Sequence, residues 1–286
     1  MKIIIIGAGP AGYTAAFKAR QEGHELILFS NDHTGGVCLN EGCIPTKSLL
    51  EDAHHLHQSK HFDPSIHVLH SVESVYAHKT SIQSELKTQL ERALMQAKVQ
   101  LIHSSAKFED NHHVIDCDGN RYEADVFIID TGAKAQRFYP HKHILESWDV
   151  LNKPFQTAQR IAMIGAGVIG VELASFLAMM GHSVHLFDIA PRCVMQAPKE
   201  LSQSLERELK QYGIQIHTNT NITSIEYTDH FTIRTENEDF EFDQCIEATG
   251  RIGNFNDLGL ENTDVQTTKK YITVNERYQT SVEHIY

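Results

Sequence analysis

"KIIIIGAGPAGYTAAFKARQEGHELILFS", residues 2–30, decides the fold. A β-branched run from Ile3 to Ile6 enters Gly7, Gly9 and Gly12, and a helical pattern follows. This is Gly-x-Gly-x-x-Gly in the setting it needs: strand, tight turn, helix. Gly7 permits the turn, Gly9 lets the backbone approach a pyrophosphate, and Gly12 allows close helix–strand packing. Pro10 and Ala11 open the helix, whose N-terminal amides and partial positive charge suit an anion.

The order recurs in "RIAMIGAGVIGVELASFLAMMGHSVHLFD", residues 160–188, with Gly165, Gly167 and Gly170 as the glycines and Val168 and Ile169 between the last two. Gly23 and Gly181 each open the strand that comes next. One glycine fingerprint is weak evidence, because glycine-rich turns occur in many α/β proteins. Two copies predict an α/β chain of two Rossmann-like dinucleotide-binding domains.

The copies differ where the adenosine ribose would lie. Eighteen positions after the last glycine, the second copy has Asp188. An acid there accepts hydrogen bonds from a ribose 2′-OH and repels a 2′-phosphate, which favours NAD over NADP. Arg192 lies four residues further on and is not read as a phosphate clamp. At the same offset the first copy has Ser30, which can bond a ribose without charge; Asp32 substitutes if the turn bends back.

Length allows two cores: 286 residues, 41% apolar and 22% charged. The formal net charge of −12 argues against nucleic-acid or anionic-membrane partners, which need clustered cations. No basic-then-apolar leader and no apolar run near the length of a membrane span is present, so a cytoplasmic protein is expected. The five cysteines (38, 43, 117, 193, 245) are not a secreted disulfide scaffold. The 19 histidines are scattered; the densest cluster, "HHLHQSKH" at 54–61, reads as a solvated helix face. No metal site is expected.

Between the two fingerprints lies "GGVCLNEGCIPTK", residues 35–47. Staple, metal site and redox pair are all open to two cysteines so placed. Zinc would want further Cys or His ligands, and a staple would close only a short loop. A helix starting near Pro45 would lower the pKa of Cys43 by its dipole, and a low-pKa thiolate beside a partner thiol describes an exchangeable disulfide.

This Cys-x4-Cys loop between two glycine fingerprints resembles the flavin-dependent pyridine nucleotide-disulfide oxidoreductases of the glutathione reductase type. Within that group "GGVCLNEGCIPTKSLL" is most similar to dihydrolipoamide dehydrogenases, with mercuric and other disulfide reductases as near neighbours. "FIIDTGAKAQ" (127–136) resembles the family's turn from the flavin domain to the nicotinamide domain, where Asp130-Thr131-Gly132-Ala133 stands for the usual Ala-Thr-Gly-Ser. "CIEATGRIGNFNDLGLE" (245–261) and "YITVNERYQTSVEHIY" (271–286) resemble the end of the nicotinamide domain and the return to the flavin domain.

The resemblance implies roles. Cys43 would be the cysteine nearer the flavin and Cys38 the one that exchanges with substrate. Lys47 would stand near the flavin N5 and Glu172 would be its carboxylate partner beside the nicotinamide. FAD and NAD are the implied cofactors, with Gly36, Thr131, Gly132 and Gly250 among the positions lining them. The implied partner is a small disulfide or dithiol, or a lipoyl-bearing protein, and the parent is expected to be a homodimer.

Against that pattern the chain ends at Tyr286, before the second flavin motif and the C-terminal interface domain. A truncated form with no activity of its own is therefore expected; Ser30 at the ribose position, the turn "DTGAKA" (130–135) and the missing second motif each imply weak or absent FAD binding. A second class of function, a non-catalytic NAD-binding redox sensor, fits the same residues. The expected domains are 1–147 (flavin type), 148–266 (nicotinamide type) and 267–286 (return segment). In the first, "SIQSELKTQLERALMQAKV" carries a helical stripe at 82, 86, 90 and 94. A β-meander turning at Asp118-Gly119 holds Cys117 as a buried or half-buried cysteine.

Overall fold

The computed structural model describes residues 1–31, 33–62, 72–157 and 159–286. Asp32, the alternative ribose acid, lies outside them. By their internal contacts the residues form two units: Met1–Cys43, Gln83–Lys134 and Arg251–Tyr286 in one, Ile44–Ile82 and Ala135–Gly250 in the other.

The first unit is built on a four-stranded parallel sheet in the order Gln100–Ile102, Glu25–Phe29, Lys2–Ile6, Val126–Ile129. The run of isoleucines forms its central strand because side chains alternate between two faces that are both covered. Ile4, Ile6, Ile27, Phe29 and Phe127 pack on one side with Phe108, Val114, Leu258 and Ile285. Ile3, Ile5, Leu26 and Leu28 pack on the other with Ala16 and Ala19 of the helix Pro10–Gln21 and with Leu94. Ile6, Phe29 and Ile129 share a register level, so the three strands end together where the glycine turn begins.

An antiparallel meander of Ala106–Phe108, His113–Asp116 and Arg121–Glu123 adjoins this sheet's core. Its turn is organised by Asp116, whose carboxylate accepts bonds from the Asp118 and Asn120 amides and the Tyr122 hydroxyl. That geometry turns Cys117 outward. It is exposed, against the expectation of a buried or half-buried cysteine.

The C-terminal residues return to this unit. Phe127 N donates to His284 O at 2.9 Å and Ile129 N to Tyr286 O at 2.8 Å, which lays the chain end along the strand Val126–Ile129. Residues 251–266 also belong here by contact, through Leu258, Leu260 and Val265 in the core with Phe108.

The second unit repeats the plan: a parallel sheet in the order Gln215–His217, Ser183–Phe187, Arg160–Ile164, Gln244–Glu247, Leu145–Glu146. The helix Val168–Met179 is apolar nearly all round and buries Val171, Leu173, Ala174, Phe176, Leu177 and Met179. A three-stranded antiparallel ribbon, Ile222–Tyr227, Phe231–Thr235 and Asp239–Phe242, joins its core.

Residues 44–82 group with this unit, although the linear reading runs the first domain to 147. The reason is apolar packing: Leu49, Ala53, Val75 and Tyr76 enter the core of Phe176 and Leu173. Tyr76 also donates its hydroxyl to Val150 O at 2.6 Å, and the buried Lys79 ammonium donates to Leu151 O at 2.7 Å.

Candidate functional site

Each glycine turn is shaped by the same sterics. A Cβ on Gly12 would overlap the Gly7 carbonyl oxygen, and one on Gly170 would overlap the Gly165 carbonyl oxygen. Gly7 (φ +115°) and Gly165 (φ +104°) hold conformations that side chains disfavour. The backbone bonds match pairwise as well. Gly7 N donates to Phe29 O at 3.0 Å as Gly165 N does to Phe187 O at 2.8 Å. Asp130 N donates to Ile6 O at 2.8 Å as Ala248 N does to Ile164 O at 2.7 Å. Two dinucleotide cradles of one design are therefore present.

The second cradle is open where a pyrophosphate would lie. A Cβ built on Gly167 meets nothing within 4 Å. Val168, first residue of the helix, is 56% exposed, and Ile169 is half-buried behind it. Asp188 follows the strand Ser183–Phe187; its carboxylate is tied to the glycine loop by Ala166 N at 2.6 Å and also accepts from Ala190 N at 2.8 Å. Arg192 is spent on Ala197 O, Met195 O and Ser202 Oγ. Gly250 (φ +143°) closes the turn after Gln244–Glu247, its carbonyl accepting from Gln136 N at 2.9 Å. These residues fit a dinucleotide.

The first cradle brings together Gly7, Gly9, Gly12, Gly36 and Thr131. Gly36 (φ +59°) comes so near that a Cβ on it would stand 2.6 Å from Gly9 Cα. Pro10 and Ala11 are exposed in the first helical turn. Ser30 is buried, 3.4 Å from Thr34 Oγ1, at the position that matches Asp188. Gly132 takes a left-handed turn and accepts a bond from Asn254 N at 3.0 Å.

Asp130, which stands where the family's turn has Ala, also belongs to this cradle. Asp130 Oδ2 accepts a 2.5 Å hydrogen bond from Gly12 N and stands 3.6 Å from where a Cβ on Gly9 would be. Burial pushes the Asp130 carboxyl above the ordinary carboxylate range, and the Gly12 amide works against that push. Here the residues do not fit a pyrophosphate, since a carboxylate holds its position. The sequence shows the acid; that its oxygen reaches the helix terminus is visible only in the fold.

The cysteines lie on two short steps of one path. Cys38 is half-buried in the helical turn Gly36–Asn40, and Cys43 is exposed at the first position of the helix Cys43–Phe62. Asn40 Nδ2 donates to Thr34 O and Gly36 O, and Gln83 Nε2 donates to Leu39 O and Asn40 O, which holds the turn. Pro45 falls in the first turn of the following helix, as its missing amide allows.

One helical turn beyond Cys43 comes Lys47. Its ammonium donates to Glu172 Oε1 at 2.6 Å, joining the cysteine helix to the helix that opens the second cradle. Cys193 and Cys245 are buried elsewhere; burial, with Glu206 and Asp188 nearby, pushes Cys193 up to about 12, and burial also raises Cys245. Among the described residues no trio of His, Cys, Asp or Glu is placed to hold a metal ion, and no helix is long and apolar enough to cross a membrane.

Known proteins are similar to this chain in sequence and in fold. The chain is 30% identical over 302 residues to dihydrolipoyl dehydrogenase of Bacillus subtilis (strain 168), covering 100% of this chain and 66% of that protein. It is 30% identical over 299 residues to dihydrolipoyl dehydrogenase of Staphylococcus aureus, covering 99% of this chain and 64% of that one. The chain thus spans a little under two thirds of the length of these relatives.

Its fold matches the HOCl-induced flavoprotein disulfide reductase RclA from Escherichia coli with a TM-score of 0.86 at 23% identity, over 100% of this chain and 65% of that one. It also matches LpdA from Mycobacterium tuberculosis with a TM-score of 0.88 at 21% identity, over 100% of this chain and 66% of that one. A family model described as pyridine nucleotide-disulphide oxidoreductase matches residues 1–286. With paired cradles and a cysteine pair between their fingerprints, the chain belongs to the pyridine nucleotide-disulphide oxidoreductase family.

Proposed function

We propose that this chain is the nucleotide-binding and dithiol-bearing part of an NAD-linked disulfide oxidoreductase of the dihydrolipoyl dehydrogenase kind. In the whole protein the reaction would be dihydrolipoamide plus NAD to lipoamide plus NADH, in a cytoplasmic homodimer, with a small dithiol or a lipoyl-bearing protein as partner. The observation that carries this reading is the Lys47–Glu172 pair, which links the helix begun by Cys43 to the helix of the open cradle.

Asp188 would receive the ribose of NAD, and its charge would disfavour a 2′-phosphate. When bound, the nicotinamide would supply the hydride chemistry, NAD accepting a hydride when a dithiol is oxidised and NADH giving one when a disulfide is reduced. In the direction of substrate reduction, Cys38 as thiolate would attack a disulfide sulfur, giving a mixed disulfide and releasing one substrate thiol. Cys43 would then attack Cys38 Sγ, releasing the second thiol and leaving Cys38–Cys43 oxidised. Lys47 would place positive charge one turn from Cys43 and be held there by Glu172. The family's flavin would belong in the first cradle; Asp130 does not fit it there, and no step is assigned through it.

A second reading, an NAD-binding redox module without catalysis, is favoured by Asp130 in the first cradle. Three measurements on the purified chain separate them: NADH titration by fluorescence, trapping of the Cys38–Cys43 couple by alkylation in thiol buffers of graded potential, and flavin content. NADH binding, a two-electron couple lost in Cys43→Ser, and bound flavin favour the enzyme. NADH binding and the couple without flavin favour the module. Absence of NADH binding, or a couple indifferent to Cys43→Ser, defeats both.

A further inference from the structure

The chain carries its own control for the first cradle. Two backbone bonds of one cradle have their counterparts in the other, yet the residue that follows the strand beside each glycine turn is Asp130 in one and Ala248 in the other. Ala248 presents only a methyl, 3.6 Å from where a Cβ on Gly170 would be, and Gly167 faces open space. At the same points of the first cradle, Asp130 Oδ2 bonds Gly12 N at 2.5 Å and faces Gly9.

Gly12 is the third residue of the helix Pro10–Gln21, so its amide is one of the donors that the helix itself leaves unpaired. Those donors, with the helix dipole, are what a pyrophosphate takes. Gly9, the N-cap, supplies no side chain to satisfy them. A carboxylate delivered from 118 residues away does so instead.

We propose that Asp130 is a resident anion of the first cradle, holding the phosphate position and making this cradle reject a dinucleotide pyrophosphate that the second accepts. The inference rests on reading both turns as dinucleotide cradles. Asp130 becomes the residue that sets which cradle is loaded. Two negative groups cannot share the Gly12 amide, so a pyrophosphate must displace the carboxylate and meet its charge nearby. A helix-capping role alone would predict something different: loss of Asp130 would weaken the helix and gain no ligand.

The test is binding of FAD and of ADP to the chain, by calorimetry at pH 8, in wild type, Asp130→Ala and Asp130→Asn, with NADH titrated into each. Asp130→Ala should bind FAD and ADP at least about tenfold more tightly than wild type. Asp130→Asn, which keeps an acceptor oxygen but no charge, should fall between. NADH affinity should be the same in all three, which also reports that each variant is folded. Equal affinity of wild type and Asp130→Ala for both probes, whether tight or immeasurable, overturns the inference while NADH binding keeps the nucleotide reading intact. Gain of FAD binding in Asp130→Ala without NADH binding sustains the inference and defeats the NAD assignment.

Discussion

Lys47 Nζ and Glu172 Oε1 meet at 2.6 Å although 125 residues of chain separate them. The lysine side chain is 59% exposed and the glutamate 25%, so water screens the pair. Such pairs stabilise by about 0–1 kcal/mol. Lys47→Met and Glu172→Gln should therefore shift the denaturant midpoint little. Their effect should fall on function, with NADH affinity or dithiol turnover of the whole protein reduced about tenfold or more. Unfolding curves beside kinetics check this; a large stability loss with full activity would make the pair merely structural.

The glycines separate folding from binding. Gly170→Ala forces a methyl onto the Gly165 carbonyl and should cost about 2–3 kcal/mol or more. Gly167 has an extended backbone (φ −73°) and open space, so Gly167→Ala should stay within about 1 kcal/mol of wild type. That methyl would stand where a pyrophosphate approaches, so NADH affinity should fall about tenfold or more. Thermal melts paired with NADH titration test both substitutions.

Cysteine reactivity should follow exposure. In the reduced chain, iodoacetamide should label Cys43 and Cys117 first, since both are exposed, and the half-buried Cys38 more slowly. Cys193 and Cys245 are buried with raised thiol pKa values and should react only after unfolding. Peptide mapping of timed samples reads the order directly; early labelling of Cys245 would contradict the packing of the second unit.

Acid should destabilise the second unit through His185. Burial, with His217 and Arg160 nearby, lowers its pKa to about 4. A depressed histidine pKa stabilises fully above the unfolded value of about 6.5, and that contribution is lost as pH falls from there through 4. Stability should drop by about 2 kcal/mol over that range. His185→Phe, placed among Phe187, Phe240 and Phe242, should flatten the decline in chemical-denaturation curves measured across it.

Much of the fold is legible in residues 2–30 and 160–188, because strand, glycine turn and helix are local patterns. A β-branched run that forms a strand, a glycine where a Cβ would strike a carbonyl five residues back and an apolar helix are patterns set by neighbours a few positions away. The cysteine pair between the fingerprints, with Lys47 one turn beyond, is legible for the same reason.

What only the tertiary structure decided lies at long range. Residues 44–82 pack with the second unit because their apolar faces meet Phe176 and Leu173, a choice that periodicity cannot make between two available cores. Cys117 faces outward because Asp116 gathers the turn around it. Asp130 reads in sequence as an acid where the family's flavin turn has Ala, yet it takes the parallel pairing of Val126–Ile129 with Lys2–Ile6 to carry its carboxylate to the Gly12 amide. Sequence by itself determined that two anion-binding turns would form, since backbone sterics are local; the fold decided that a carboxylate already holds one of them, since only packing brings residues 12 and 130 together.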